Sequence, residues 1–122
     1  MKFQLKKSFQ IESARSLPNL PKDHPCSRVH GHSFKVTLSL CGDLDPKLGW
    51  LIDYNDIQKI AAPILAKIDH RLLNEVPGLE NPTTENLCSW LYKNLIHSLP
   101  QLTQVTINET HDTECSYPAC PK

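Results

Sequence analysis

Cys26, His30 and His32, in the run Cys26-Ser27-Arg28-Val29-His30-Gly31-His32-Ser33-Phe34, bring a thiol and two imidazoles together just before an apolar stretch. In an extended segment residues two apart face the same side, so His30 and His32 can aim both rings at one point, and Gly31 between them lets a ligand come close. Imidazole is the commonest transition-metal ligand, and an ionised Cys is both a nucleophile and a base. The segment therefore reads as half of a metal site with a reactive thiol beside it.

Asp69-His70 is the other acid–base candidate. A carboxylate next to an imidazole can raise its pKa and orient it, giving a general acid or base near neutrality if both turn into one pocket. Most such dipeptides do neither. His24, His97 and His111 have no partner at informative spacing and read as solvated. Cys115 and Cys120 read as an incidental pair, because two cysteines at that spacing match no metal or redox motif.

Six elements position these groups. From Phe3 to Ile11 the odd positions Phe3, Leu5, Phe9 and Ile11 are apolar, the period-two pattern of a half-buried strand, with Lys7 as the exception. A second strand places Phe34, Val36, Leu38 and Leu40 on one face, and its inward parity includes His30 and His32. Asp53 then caps a helix whose stripe is Ile57, Ile60, Ala61, Ile64 and Ile68, with Asp56 favourable in the first turn and Pro63 expected to kink or interrupt the ladder. A second helix follows Asn81-Pro82-Thr83-Thr84-Glu85, carries Leu87, Leu91 and Leu95, and is predicted to end near Leu99-Pro100. A third strand turns Val105 and Ile107 inward, and a short fourth around Cys115 to Tyr117 can pair with it as a hairpin. The order is ββααββ, an α+β arrangement. Parity also places two charges where apolar side chains belong: Glu109 continues the face of Val105 and Ile107, and Arg15 continues that of Phe9 and Ile11. Each needs a partner there, unless the strand end turns into solvent.

Composition bounds the function. A chain of 122 residues, 39% apolar and 21% charged, is one domain over residues 1–122. Lys plus Arg and Asp plus Glu number thirteen each, so no bulk field favours nucleic acid or an anionic membrane, and the expected partner is a small molecule. Five cysteines without a CxxC pair, no apolar leader and no span-length apolar run fit a reducing cytoplasm.

Taken together, Cys26-x-x-x-His30-Gly31-His32, Gly49-Trp50-Leu51-Ile52-Asp53, the Leu-Asn-Glu-Val-Pro-Gly-Leu run at 73–79, Asn81-Pro82-Thr83-Thr84-Glu85 and Glu109-Thr110 resemble the 6-pyruvoyl-tetrahydropterin synthase family. Within it they resemble the bacterial branch, the 6-carboxy-5,6,7,8-tetrahydropterin synthases of queuosine biosynthesis. The motifs keep their order from about Phe9 to Tyr117. The resemblance implies the tunnelling fold: an antiparallel sheet with two helices on one face, strands joining those of neighbours into an oligomeric barrel, and two trimers stacked as a homohexamer with active sites at the interfaces. It implies 7,8-dihydroneopterin triphosphate as substrate, converted in the carboxy branch to 6-carboxy-5,6,7,8-tetrahydropterin with loss of triphosphate and acetaldehyde. By the same resemblance Cys26 matches the thiol base and Asp69 and His70 the acid–base relay. Glu109 matches the carboxylate that grips the pterin's 2-amino and ring N–H donors, and Thr83 and Thr84 match positions that seat the pterin from an adjacent subunit. His30 and His32 match ligands of a zinc ion that acts as a Lewis acid on the side-chain hydroxyls.

One position departs. The family's third zinc histidine lies in a Glu-x-x-His segment before Leu-Pro, and this chain reads Glu12-Ser13-Ala14-Arg15-Ser16-Leu17-Pro18. A guanidinium stays protonated and has no lone pair to donate. Three readings remain open: the two histidines bind zinc weakly or with help from Cys26, His24 or Glu12; Arg15 replaces the cation electrostatically; or the chain is a paralogue with lost or altered activity. Two functions compete accordingly, a pterin-forming lyase and a pterin- or purine-binding module without turnover. The combination of Cys26, Asp69, His70 and Glu109 favours the lyase, with a 6-pyruvoyl product as the alternative within it.

Overall fold

A computed structural model describes residues 2–120, so the extreme positions of the expected 1–122 domain lie outside the described residues. Strands β1 (Lys2–Arg15), β2 (His30–Asp43), β3 (Leu102–Asn108) and β4 (Cys115–Tyr117) form one antiparallel sheet in sequence order. Helices α1 (Tyr54–Leu65) and α2 (Thr84–Leu95) lie between β2 and β3 in the chain, and 3-10 turns occupy Pro25–Ser27 and Leu73–Glu75. The expected ββααββ order holds. Phe34, Val36, Leu38 and Leu40 of β2 are fully buried in one cluster with Ile57 and Ala61 of α1, Leu87, Leu91 and Leu95 of α2, and Val105 and Ile107 of β3. The two helical stripes and the inward face of the sheet therefore share a single core.

β1 runs four residues past the apolar alternation that announced it. Its pairing with β2 continues from Lys2 opposite Asp43 to Arg15 opposite His30, so the ladder, rather than β1's own hydropathy, sets its length. Ser13 and Arg15 take the inward positions beyond Ile11, at 6% and 5% exposure. Lys7, the odd one out, lays its ammonium 5.1 Å from the Phe9 ring centroid, covering apolar surface while its charge stays near water.

The outer edge of β1 is tied down where the site begins. Ala14 N–H donates to Arg71 O at 3.0 Å, His70 N–H donates to Glu12 O at 2.6 Å, and Ala14 forms a parallel bridge with Leu72. Ser13 Oγ donates to the Ile68 carbonyl. Asn74 mimics one more strand residue: its Oδ1 accepts from Ser16 N–H and its Nδ2 donates to Ser16 O, both at 2.9 Å. The loop after α1 thus fixes the backbone on both sides of Arg15.

α1 starts as expected after Asp53, whereas α2 starts at Thr84, inside the Asn81-Pro82-Thr83-Thr84-Glu85 run rather than after it. Asp53 accepts from Asn55 N–H at 2.9 Å, and Thr83 accepts from Asn86 N–H at 3.1 Å. α1 stops at Leu65 rather than Ile68, two residues after Pro63, whose missing N–H removes a rung from the last turn. Ile68 still completes the stripe, fully buried, from the following turn. α2 likewise ends at Leu95, with Leu99 held by a hydrogen bond from its N–H to Leu95 O. No helix among the described residues is long and apolar enough to cross a membrane.

Candidate active site

Arg15 ends β1 with its side chain on the inward face, and a charge there is costly unless paired and hydrogen-bonded. Nη2 donates to Oε1 of Glu109. Nη1 donates to the Pro82 carbonyl at 3.0 Å and to Thr84 Oγ1 at 3.3 Å, and the Thr84 hydroxyl donates to the same Glu109 Oε1. The guanidinium carbon lies 5.3 Å from the centroid of the Phe34 ring, a favourable cation–π distance. Nε is left buried without an acceptor among the described residues. The two charges that strand parity isolated, one on β1 and one just past β3, are each other's partners.

The threonines divide. Thr84 joins the Arg15–Glu109 pair of its own chain, whereas the Thr83 hydroxyl is taken up by the cap of α2. The Pro82 carbonyl is a participant that sequence reasoning missed, since a backbone acceptor has no residue-type signal.

His30 and His32 face the same side, with ring centroids 4.8 Å apart in an edge-to-face arrangement. They follow the inward parity but are only half-buried, because they precede Phe34, the first fully covered residue of β2. His32 packs against the Phe34 ring at 5.7 Å. His30 Nδ1 lies 2.7 Å from Arg28 O; a carbonyl only accepts, so Nδ1 carries the proton and Nε2 of the neutral ring keeps its lone pair.

Two pKa shifts arise around Arg15. His32 is held below its ordinary pKa first by burial and then by the charge of Arg15, with Glu109 pulling the other way. Burial pushes Glu109 up, but the hydrogen bond from Thr84 and the charge and hydrogen bond of Arg15 outweigh it and hold its carboxyl below the usual range. A group with a lowered folded-state pKa stabilises above its unfolded pKa, and that stabilisation is lost as pH falls through the folded value. Stability is therefore expected to decline on acidification in two steps, each beginning as the group protonates in the unfolded chain, at about pH 6.5 for a His and about pH 4.3 for a Glu, and ending at the lower pKa that His32 and Glu109 have in the fold. Urea midpoints measured across the acid range check this: His32→Asn should remove the upper step and Glu109→Gln the lower.

Asp69 and His70 do form a pair, with Asp69 Oδ1 3.0 Å from His70 Nδ1. The same oxygen accepts from Glu12 N–H at 2.9 Å, so β1 holds the carboxylate that orients the imidazole. His70 has a φ of 57° and a side chain that is 77% exposed. Its ring borders a cleft of about 510 Å³ lined also by Glu12, Ser13, Gly31, His32 and Ser33. Cys26 is half-buried in the turn Pro25–Ser27 and does not line that cleft. His24 is exposed, as expected, and also caps the turn that carries the thiol, with its Nδ1 accepting from Cys26 N–H at 3.1 Å. His111 is exposed and borders a second cleft, of about 360 Å³, beside Glu109. A single chain therefore unites Arg15, Thr84 and Glu109, and lines one cleft with His32 and His70 but not with Cys26.

The donor set does not fit a zinc centre of three protein ligands. His30 and His32 supply two imidazoles, and opposite His30 stands a guanidinium with no lone pair. Of the other candidate ligands, Glu12 accepts from Ser33 and Gln10, His24 Nδ1 is bonded to Cys26 N–H, and the free thiol of Cys26 does not line the cleft that His32 borders. Among the described residues no group of three or more His, Cys, Asp or Glu side chains is placed to hold a metal ion.

Comparison with known proteins fits this geometry into a lineage. Residues 4–120 match the family described as 6-pyruvoyl tetrahydropterin synthase. A 6-carboxy-5,6,7,8-tetrahydropterin synthase of Synechocystis is 30% identical over 117 residues, covering 91% of this chain and 89% of its own. A protein of the same name from Bacillus subtilis is 29% identical over 127 residues, covering 94% and 84%. The solved structure of Caenorhabditis elegans 6-pyruvoyl tetrahydropterin synthase superposes with a TM-score of 0.87 over 98% of this chain and 97% of its own, at 23% identity, which speaks for the fold.

Proposed function

We propose, since the chain belongs to the 6-pyruvoyl tetrahydropterin synthase family, that it is a lyase of the 6-carboxy-5,6,7,8-tetrahydropterin synthase type, acting on 7,8-dihydroneopterin triphosphate in the route to queuosine. The observation that carries this reading is the joint presence of Cys26, an oriented Asp69–His70 pair and a buried-edge carboxylate at Glu109, four groups that the fold itself has no need to combine. In it Glu109 anchors the pterin. Its lowered pKa keeps it ionised at neutral pH, and Oε2 takes no hydrogen bond among the described residues, so one oxygen is free to accept from the ring donors. Asp69 holds His70 with Nδ1 toward the carboxylate, leaving Nε2 to exchange a proton with the substrate side chain. Cys26 is the base at the neighbouring C–H. No step is assigned to zinc, because the donor set lacks the third ligand.

The solvent-facing His70 ring, and a Cys26 that does not line the cleft His70 borders, support a site completed between copies, in a homohexamer built as a dimer of trimers. Absence of a membrane-length apolar helix among the described residues and thiols left free suit a cytoplasmic enzyme. A second reading rests on one specific observation: Arg15 occupies Glu109 Oε1, as a paralogue that binds a pterin without turning it over would tolerate.

Incubation of the purified protein with 7,8-dihydroneopterin triphosphate, followed by mass detection, separates the readings. The lyase yields 6-carboxy-5,6,7,8-tetrahydropterin with acetaldehyde and triphosphate, at a rate that scales with protein. A 6-pyruvoyl product moves the chain to the other branch. Saturable neopterin binding without any product supports the binding paralogue, and neither binding nor product overturns both.

A further inference from the structure

We propose that Arg15 is the resident cation of this site, standing in the place a metal ion would take and excluding one. Three observations converge on it. Arg15 lies directly opposite His30 in the β1–β2 ladder, so its backbone sits where a third ligand could join the two edge-to-face imidazoles, but the side chain offers no lone pair. Its charge is permanent and lies inside the fold at 5% exposure, on the strand position directly opposite His30, so any dication approaching the two rings meets a fixed positive charge. The neighbouring carboxylate that could have offset that charge for a metal, Glu109, is already engaged through Oε1 by the guanidinium and by Thr84. The cation is held rather than loosely tethered. Pro82 O, Thr84, Glu109 and the Phe34 ring fix its head, and the loop bonds at Ala14 and Ser16 fix its backbone. One donor remains to be used, since Nε–H has no acceptor among the described residues.

The inference concerns the cation of the proposed lyase site but is tested without substrate. Zinc alone is titrated into the full-length protein by calorimetry, for wild type, Arg15→His and Arg15→Gln, with circular dichroism confirming that each is folded. Wild type is expected to show no stoichiometric zinc uptake at concentrations that fill Arg15→His with one ion per chain. Arg15→Gln removes the charge without adding a ligand and is expected to bind about ten- to a hundredfold more weakly than Arg15→His, but measurably. Stoichiometric binding by wild type that is lost in His30→Ala would overturn the proposal. So would failure of both folded variants to take up zinc, since Arg15 would then not be what excludes the metal. Turnover by wild type, if found, should persist in a chelator. A protein that neither binds zinc nor makes product leaves Arg15 as the resident cation and removes only the lyase reading.

Discussion

Glu109→Ala should destabilise the fold by about 3 kcal/mol, and more than Arg15→Ala does, although the two substitutions break the same ion pair. The asymmetry follows from burial. The Arg15 side chain is 6% exposed and that of Glu109 is 24% exposed. Removing the carboxylate strands a guanidinium that water reaches only through the edge Glu109 vacates, with the Pro82 carbonyl and Thr84 hydroxyl left as protein acceptors. Removing the guanidinium leaves a carboxylate that still receives the Thr84 hydroxyl and can rehydrate through its open edge, at a cost of about 1–2 kcal/mol. The value for Glu109→Ala sits at the low end of buried-pair losses because that same edge admits some water to the orphaned cation. Glu109→Gln, which keeps an acceptor oxygen for both donors, should fall between the two single deletions. Urea denaturation at neutral pH measures all three. A smaller loss for Glu109→Ala than for Arg15→Ala would mean that the guanidinium swings out to solvent when released, and that its burial depends on more than this pair.

That pair also marks how far the chain could be read before its fold was known. Period-two parity placed both Arg15 and Glu109 on inward faces, and that much follows from local alternation. Their mutual contact joins positions 94 residues apart, and no local pattern encodes which inward charge meets which. The same limit explains the length of β1. Its apolar alternation stops at Ile11, but cross-strand bonds to the His30–Phe34 segment extend the strand to Arg15, so the partner's sequence decided what β1's own could not. The cap at Asp53 was legible because it acts on backbone two residues away. His24 is exposed, as its sequence context implied, but its capping role was not legible. A histidine accepting from a backbone N–H two residues on is a local device, but His is not among the side chains that usually cap. Adjacency offered the Asp69–His70 pair only as a candidate, one that most such dipeptides do not form, and the outward position of His70, a non-glycine residue with positive φ after the turn that ends α1, was not legible at all.

Cys26→Ala is expected to lower kcat by about 10²- to 10⁴-fold, the range for loss of a positioned proton-transfer group, while leaving KM and stability nearly unchanged. The structure makes that separation testable. Cys26 is held by its backbone: its N–H donates to His24 Nδ1 at 3.1 Å, and its carbonyl accepts from Leu17 N–H at 2.8 Å. The half-buried side chain belongs to no core cluster, so trimming it should shift the unfolding free energy by no more than about 0.5 kcal/mol. Cys88 provides the contrast. It is fully buried between α2 and the β3–β4 hairpin, its thiol donates to Val105 O at 3.2 Å, and burial pushes its pKa up to about 12, so it is a packing group rather than a base. Cys88→Ala should therefore reduce stability and spare kcat, the reverse of Cys26→Ala. The two variants, assayed side by side with 7,8-dihydroneopterin triphosphate and by urea unfolding, distinguish a thiol that acts on substrate from one that fills space. If Cys26→Ala keeps more than about a tenth of wild-type turnover, proton abstraction must come from elsewhere, and the Asp69–His70 pair is the remaining base within the proposed site.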